Sequence, residues 1–143
     1  MESLQNVEIK NQQIVLDQLA ELAARDGEIA VLWLYGSRAT GDAQANSDFD
    51  LAVAFSTRDG SAWEQRLRSE TLALDWAAAL GLPSSQVSVV DINSAPAHLA
   101  MSIMGADRAL HVSDPLRLAR EENRISSVWE IDHLYHQRQA GSE

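Results

Sequence analysis

Residues 32–55, LWLYGSRATGDAQANSDFDLAVAF, constrain this chain more than any other stretch. An apolar run ends in Gly36-Ser37, a polar loop follows, and Asp48-Phe49-Asp50 opens a second apolar run. Both runs read as strands. Residues i and i+2 of a strand point the same way, so Asp48 and Asp50 set two carboxylates side by side on one face. Like charges that close are costly unless a cation neutralises them. Hard oxygen ligands in that arrangement suit Mg²⁺, which keeps waters and takes substrate phosphates as further ligands. A glycine followed by a small hydroxyl residue lets a backbone turn approach such phosphates closely. The stretch therefore reads as a metal-dependent site for a nucleoside triphosphate. The plainer alternative is a hairpin whose acids blunt a strand end.

The chain has 143 residues, 45% of them hydrophobic and 22% charged, which is enough for one folded domain spanning 1–143. No apolar run approaches the roughly 20 residues a membrane span needs. The N-terminal MESLQNVEIKNQQ lacks a signal-peptide core, and cysteine is absent, which excludes disulfides and thiolate zinc sites. A cytoplasmic location and no membrane partner are the expectation. The net charge of −10 disfavours a partner such as extended nucleic acid, which calls for a basic stripe. A basic protein partner, or a small substrate delivered with metal, fits better.

Periodicity and turn signals predict a helix over 11–25, strands over 29–35 and 48–55, and a helix over 61–80. Ser61 reads as the N-cap of that helix, with Glu64 at the capping-box position and Gly81 after its end. A strand over 87–92, a helix over 97–105 and a short strand over 109–112 follow. Asp114-Pro115 starts a closing helix that runs to about residue 139. The order suggests an α/β domain of the α+β kind, a small mixed sheet with helices mainly on one face. Asp42, in Gly41-Asp42, reads as a turn residue rather than a ligand. Arg117, Arg120 and Arg124 make a basic ridge, read as a solvated stripe or a contact surface. The four tryptophans, Trp33, Trp63, Trp76 and Trp129, read as core or partner contacts.

Gly36, Ser37, Gly41, Ser47, Asp48, Asp50 and Leu51 together resemble the motif of the DNA polymerase β superfamily of nucleotidyltransferases, in particular the small group called minimal nucleotidyltransferases (MNT). Residues 87–112 resemble the family's third core strand, the helix after it and a short final strand. DPLRLAREENR resembles the closing helix of the MntA-like antitoxins that pair with HEPN-domain toxins. The resemblance covers most of residues 10–125. It implies a polymerase-β-like nucleotidyltransferase fold. It also implies transfer of AMP from ATP to a hydroxyl, a tyrosine in that family, of a HEPN ribonuclease toxin. Asp48 and Asp50 would hold Mg²⁺ in a two-metal site. Gly36 and Ser37 would hold the β- and γ-phosphates, and Arg38 would pair with a phosphate oxygen unless it is only a loop residue.

One position departs from the resemblance. Relatives carry a third carboxylate on the third strand where this chain has Ser88. Asp91, three residues on, is the candidate third catalytic acid, although strand alternation points it to the opposite face. Two other readings stand beside the transferase. One is an antitoxin that is weak or inactive in catalysis and neutralises its toxin by complex formation, through apolar residues of the closing helix such as Leu118, Ile125, Val128 and Trp129. The other is a nucleotidyltransferase acting on a small hydroxylated drug.

Overall fold

A computed structural model describes residues 4–58 and 60–141. In chain order it has α1 (Leu4–Arg25), β1 (Ile29–Tyr35), α2 (Ser37–Thr40), β2 (Phe49–Phe55), α3 (Ala62–Leu80), a 3₁₀ turn (Ser84–Gln86), β3 (Val87–Asp91), α4 (Ala97–Ala106), β4 (Ala109–Val112) and α5 (Pro115–Gly141). This is the expected element order, with α1 extended to Leu4 and α5 to Gly141. The ends of α3 follow from its caps. Ser61 Oγ accepts the Glu64 N–H at 3.2 Å, and Gly81 closes the helix in the left-handed region at φ 69°.

The four strands form one mixed sheet in the order β3-β2-β1-β4. β1 is antiparallel to both β2 and β4, and β2 is parallel to β3. The expectation of helices mainly on one face is corrected here, because both faces are covered. On one face Leu16, Leu19 and Ala23 of α1 and Trp76 and Ala77 of α3 bury Leu32, Leu34, Leu51 and Val53. On the other, Ala100 and Ile103 of α4 and Ile125 of α5 bury Val31, Trp33, Ala52 and Ala54. The physical reason lies in β1 and β2, whose alternate residues are apolar on both sides and require a cover on each. Of the four tryptophans, Trp33 and Trp76 are core, while Trp63 and Trp129 are exposed. Among the described residues no helix is long and apolar enough to cross a membrane.

The arginine ridge of α5 is partly structural. Glu121 is buried and takes Arg117 Nε at 2.9 Å, Arg124 Nη2 at 2.8 Å and Asn93 Nδ2 at 2.9 Å. Arg117 also donates to the Phe55 carbonyl and to Asn93 Oδ1. The network ties α5 to the C-terminal ends of β2 and β3, away from the acid pair that opens β2. Burial alone would push the Glu121 carboxyl up; hydrogen bonds from Asn93, Arg117 and Arg124 outweigh it and hold it below the ordinary carboxylate range. Because the folded value is the lower one, this stabilisation is present above the ordinary range and is lost as pH falls through the folded value. Glu121→Ala should cost about 3 kcal/mol at neutral pH, measured by urea unfolding, since it strands two arginines beside a buried gap. The gap between variant and wild type should narrow as the solution is acidified; a constant gap would place the stability in packing rather than charge.

Candidate active site

Local sequence builds the site at the junction of β1, α2 and β2. β1 ends at Tyr35, and the chain turns at Gly36 with φ 72° and ψ −158°. The Gly36 carbonyl then accepts the N–H groups of Ala39 and Thr40, which starts the single turn α2. A Cβ on residue 36 would sit 2.4 Å from Asp50 Oδ2. Glycine is therefore required twice, once for a backbone that L residues rarely adopt and once for the space the carboxylate fills. The Ser37 side chain makes no hydrogen bond among the described residues and lies half-buried beside this turn.

Asp48 stands exposed just ahead of β2, and Asp50 lies half-buried inside it. Asp50 shares the face of Ala52 and Ala54 and pairs in register with Tyr35 on one side and Ser88 on the other. Burial pushes the Asp50 carboxyl up, and the neighbouring charge of Asp48 adds to it. Tyr35, a site residue the sequence reading missed, is pushed up to about 12 by burial and then by Asp50. Its position just before Gly36, with β-strand alternation, was the available signal.

Arg38 is placed differently from its expected phosphate role. Its side chain is buried and lies over the Phe49 ring at 4.1 Å, on the face opposite Asp50. The guanidinium donates to the Ser47 carbonyl at 2.8 and 3.2 Å, to the Ala45 carbonyl at 3.2 Å and to Gln12 Oε1 at 3.0 Å. It thus anchors the loop that delivers Asp48. Asp42 accepts a hydrogen bond from Thr40 Oγ1 at 3.0 Å, in keeping with its reading as a turn residue.

Asp91 is not brought to the acid pair. It aligns with Val53, three residues beyond the Asp50–Ser88 pair, or about 10 Å along the strand. Its parity sets it with Val89 on the opposite face, and its Oδ1 accepts the Asn93 N–H at 2.9 Å. The candidate role of third acid is corrected on this geometry: Asp91 caps the turn after β3. Among the described residues no group of three or more His, Asp or Glu side chains is arranged to hold a metal. The donor set is the Asp48–Asp50 pair. Two carboxylates with mutual repulsion and open positions fit Mg²⁺, whose remaining ligands are waters and substrate phosphates.

A turn without room for a side chain, set against a carboxylate pair on a small mixed sheet, defines a nucleotidyltransferase-type site. The chain belongs to the polymerase beta nucleotidyltransferase family, whose model matches residues 17–116. No curated protein matches the sequence. Among solved structures it is similar to a chain of a mutant MntA–HepT toxin–antitoxin crystal structure, with TM-score 0.64, 21% identity and coverage of 87% of this chain and 93% of that chain. A complex of a tri-AMPylated Shewanella oneidensis HEPN toxin with an MNT antitoxin gives TM-score 0.60, 21% identity and coverage of 90% and 93%. A toxin–antitoxin crystal structure with AMP-PNP gives 0.58, 23% identity and coverage of 91% and 92%. At such identities the likeness establishes the fold.

Two outcomes follow from the geometry. Gly36→Ala should displace Asp50 and weaken Mg²⁺-dependent nucleotide binding by at least tenfold in calorimetry; unchanged binding would mean the turn yields freely. Arg38→Ala should lower stability by about 1.5–3 kcal/mol through lost charged hydrogen bonds. A variant that keeps its melting temperature while losing nucleotide affinity would restore Arg38 to the phosphates.

Proposed function

We propose that this chain is a Mg²⁺-dependent MNT-type nucleotidyltransferase that moves AMP from ATP onto a hydroxyl of a HEPN-type ribonuclease toxin, acting as its antitoxin. The observation that carries this reading is the Asp48–Asp50 pair, with Asp50 pressed against the backbone of Gly36. The toxin partner is supported by likeness to chains of toxin–antitoxin complexes, one with a tri-AMPylated HEPN toxin. The choice of adenine is supported by the AMP-PNP in another.

In this reaction an acceptor oxygen attacks the α-phosphorus of ATP, a new P–O bond forms, and pyrophosphate leaves as the α–β bridge breaks. Mg²⁺ held by Asp48 and Asp50 would supply charge neutralisation for the triphosphate. The chain's own contributions come from the turn and the strands. Gly36 leaves the backbone open to close approach, and the Ser37 hydroxyl and N–H groups of the turn are the donors for the β- and γ-phosphates. Arg38 acts behind them as a positioning residue, holding residues 45–47 so that Asp48 stays beside Asp50. Tyr35 supplies an apolar ring next to Asp50 that reduces water access to the carboxylate.

Ser88 favours a second reading. It sits in register with Asp50, a position where a carboxylate would serve as third ligand and base. A serine does neither well. A protein with weakened transfer that neutralises its partner by complex formation is consistent with this. Of the closing-helix residues expected at such an interface, Leu118 and Ile125 pack into the core instead, while exposed Val128 and Trp129, with Ile131, offer apolar surface.

Purified protein incubated with labelled ATP, Mg²⁺ and the product of a neighbouring gene separates the two readings, since label on the partner shows transfer and co-elution without label shows binding alone. Asp48→Asn combined with Asp50→Asn should abolish the transfer while the fold persists; full transfer by the double variant would sink the metal assignment. Ser37→Ala should weaken ATP binding by about tenfold or more, the effect of losing a hydrogen bond of about 1.5–3 kcal/mol to a charged group. Ser88→Asp should raise the transfer rate, up to the 10²–10⁴-fold typical of a positioned base. No gain in rate would show that the missing carboxylate is not limiting.

A further inference from the structure

β3 is an edge of the sheet, pairing with β2 and with no other strand among the described residues. Just past it, the Ile92 N–H donates to the Val53 carbonyl at 2.9 Å. Ladder groups alternate along a strand, so Ser88 and Val90 direct their N–H and C=O toward β2. Val89 directs both of its groups outward, although the residue is only 8% exposed. The low exposure comes from a side chain packed in the core, while the residue lines the groove and its outward N–H and C=O have no strand partner among the described residues. Neither lysine nor proline, the usual protections of an exposed edge, occurs in VSVVD.

The edge lies along a groove of about 680 Å³. Leu74 and Ala73 of α3 form one wall, and the Ser94–Leu99 segment forms the other. Leu74 is 57% exposed, as an unpartnered apolar wall residue would be. The groove ends next to the candidate active site at one residue, since Ser88 lines it and is the register partner of Asp50, which does not line it. Its charges are Arg66 and Glu70, which pair with each other at 3.3 Å, and Asp91, which has no ion pair among the described residues.

We propose that this free edge is the docking track for an extended segment of the protein acceptor. The segment adds as a further strand on β3, hydrogen-bonding to the outward Val89 groups, and delivers its hydroxyl at the Ser88 end beside Asp50. Alternate apolar side chains face the α3 wall. A lysine or arginine lies toward Asp91, in keeping with the overall charge of −10. The acceptor role, though not the docking itself, rests on the proposed transferase reading.

The test uses the full chain and fluorescent seven-residue peptides with one tyrosine, valine at alternate positions and a lysine scanned through the remainder. Polarisation measured without nucleotide reads docking independently of transfer. The expected result is binding that depends on lysine position, falls at least tenfold when alternate peptide amides are N-methylated, and falls similarly in Leu74→Glu with unchanged melting temperature. The Val89 amide should gain protection from hydrogen exchange on binding. No binding across the library, or binding indifferent to N-methylation and to Leu74→Glu, overturns the track. So does a wild-type dimer that Leu74→Glu dissociates, because the edge then belongs to a second copy. Docking with no AMP transfer to the peptides or to a whole protein acceptor overturns the transferase reading and leaves the track standing. AMP transfer to a whole protein acceptor that Leu74→Glu leaves unchanged does the reverse.

Discussion

The contact between Gly36 and Asp50 organises the rest of the site. Asp50 Oδ2 fills the volume that any side chain on residue 36 would need. One strand end and one strand start are thereby held at a separation that only glycine permits. The carboxylate that pushes into this turn is half-buried and repelled by Asp48, and both effects push its pKa up. A pair of acids held in that state gains from a divalent cation and loses without one. Ser37 follows directly in the same turn, half-buried. In the proposed function, affinity for metal and access for phosphate would both depend on this one close approach.

That approach is maintained from behind the sheet. Arg38 leaves the turn on the opposite side from Asp50, stacks on Phe49 and gathers the carbonyls of Ala45 and Ser47. Phe49 lies between the two acids in sequence, so the ring under the guanidinium and the carboxylates over the other face belong to three consecutive residues. An arginine beside a phosphate-type turn here works as scaffolding. Two walls of apolar packing fix β1 and β2 beneath it, since α1 and α3 cover one face and α4 and α5 the other.

Much of this was legible in the sequence because it is local. The acid pair, the Gly-Ser turn, the caps of α3 and the Asp-Pro start of α5 are short-range patterns, and each lies where the pattern puts it. The parity of β3 already turns Asp91 away from Asp50; the structure adds that it aligns with Val53, about 10 Å along the strand from the Asp50–Ser88 pair. What the sequence hid depends on distant partners. Nothing near Arg38 announces that Gln12, in α1, will take its Nη1. The i, i+4 spacing of Arg117 and Glu121 looks like a solvated helix face until the end of β2 and Asn93 close over it. The two-sided cover of the sheet was implicit in the all-apolar β1, yet the order of elements alone pointed to one-sided packing.

The central claim is that nucleotide and metal meet at Gly36, Ser37, Asp48 and Asp50, and not at the Asp91 end of β3. Amide NMR spectra of the protein with AMP-PNP, titrated with trace Mn²⁺, test it most directly. The account predicts that signals of residues 35–38, 48–50 and 88 broaden first, while those of 91–93 survive at the same Mn²⁺ concentration. Early loss of the 91–93 signals, with 36–37 and 48–50 intact, would contradict it.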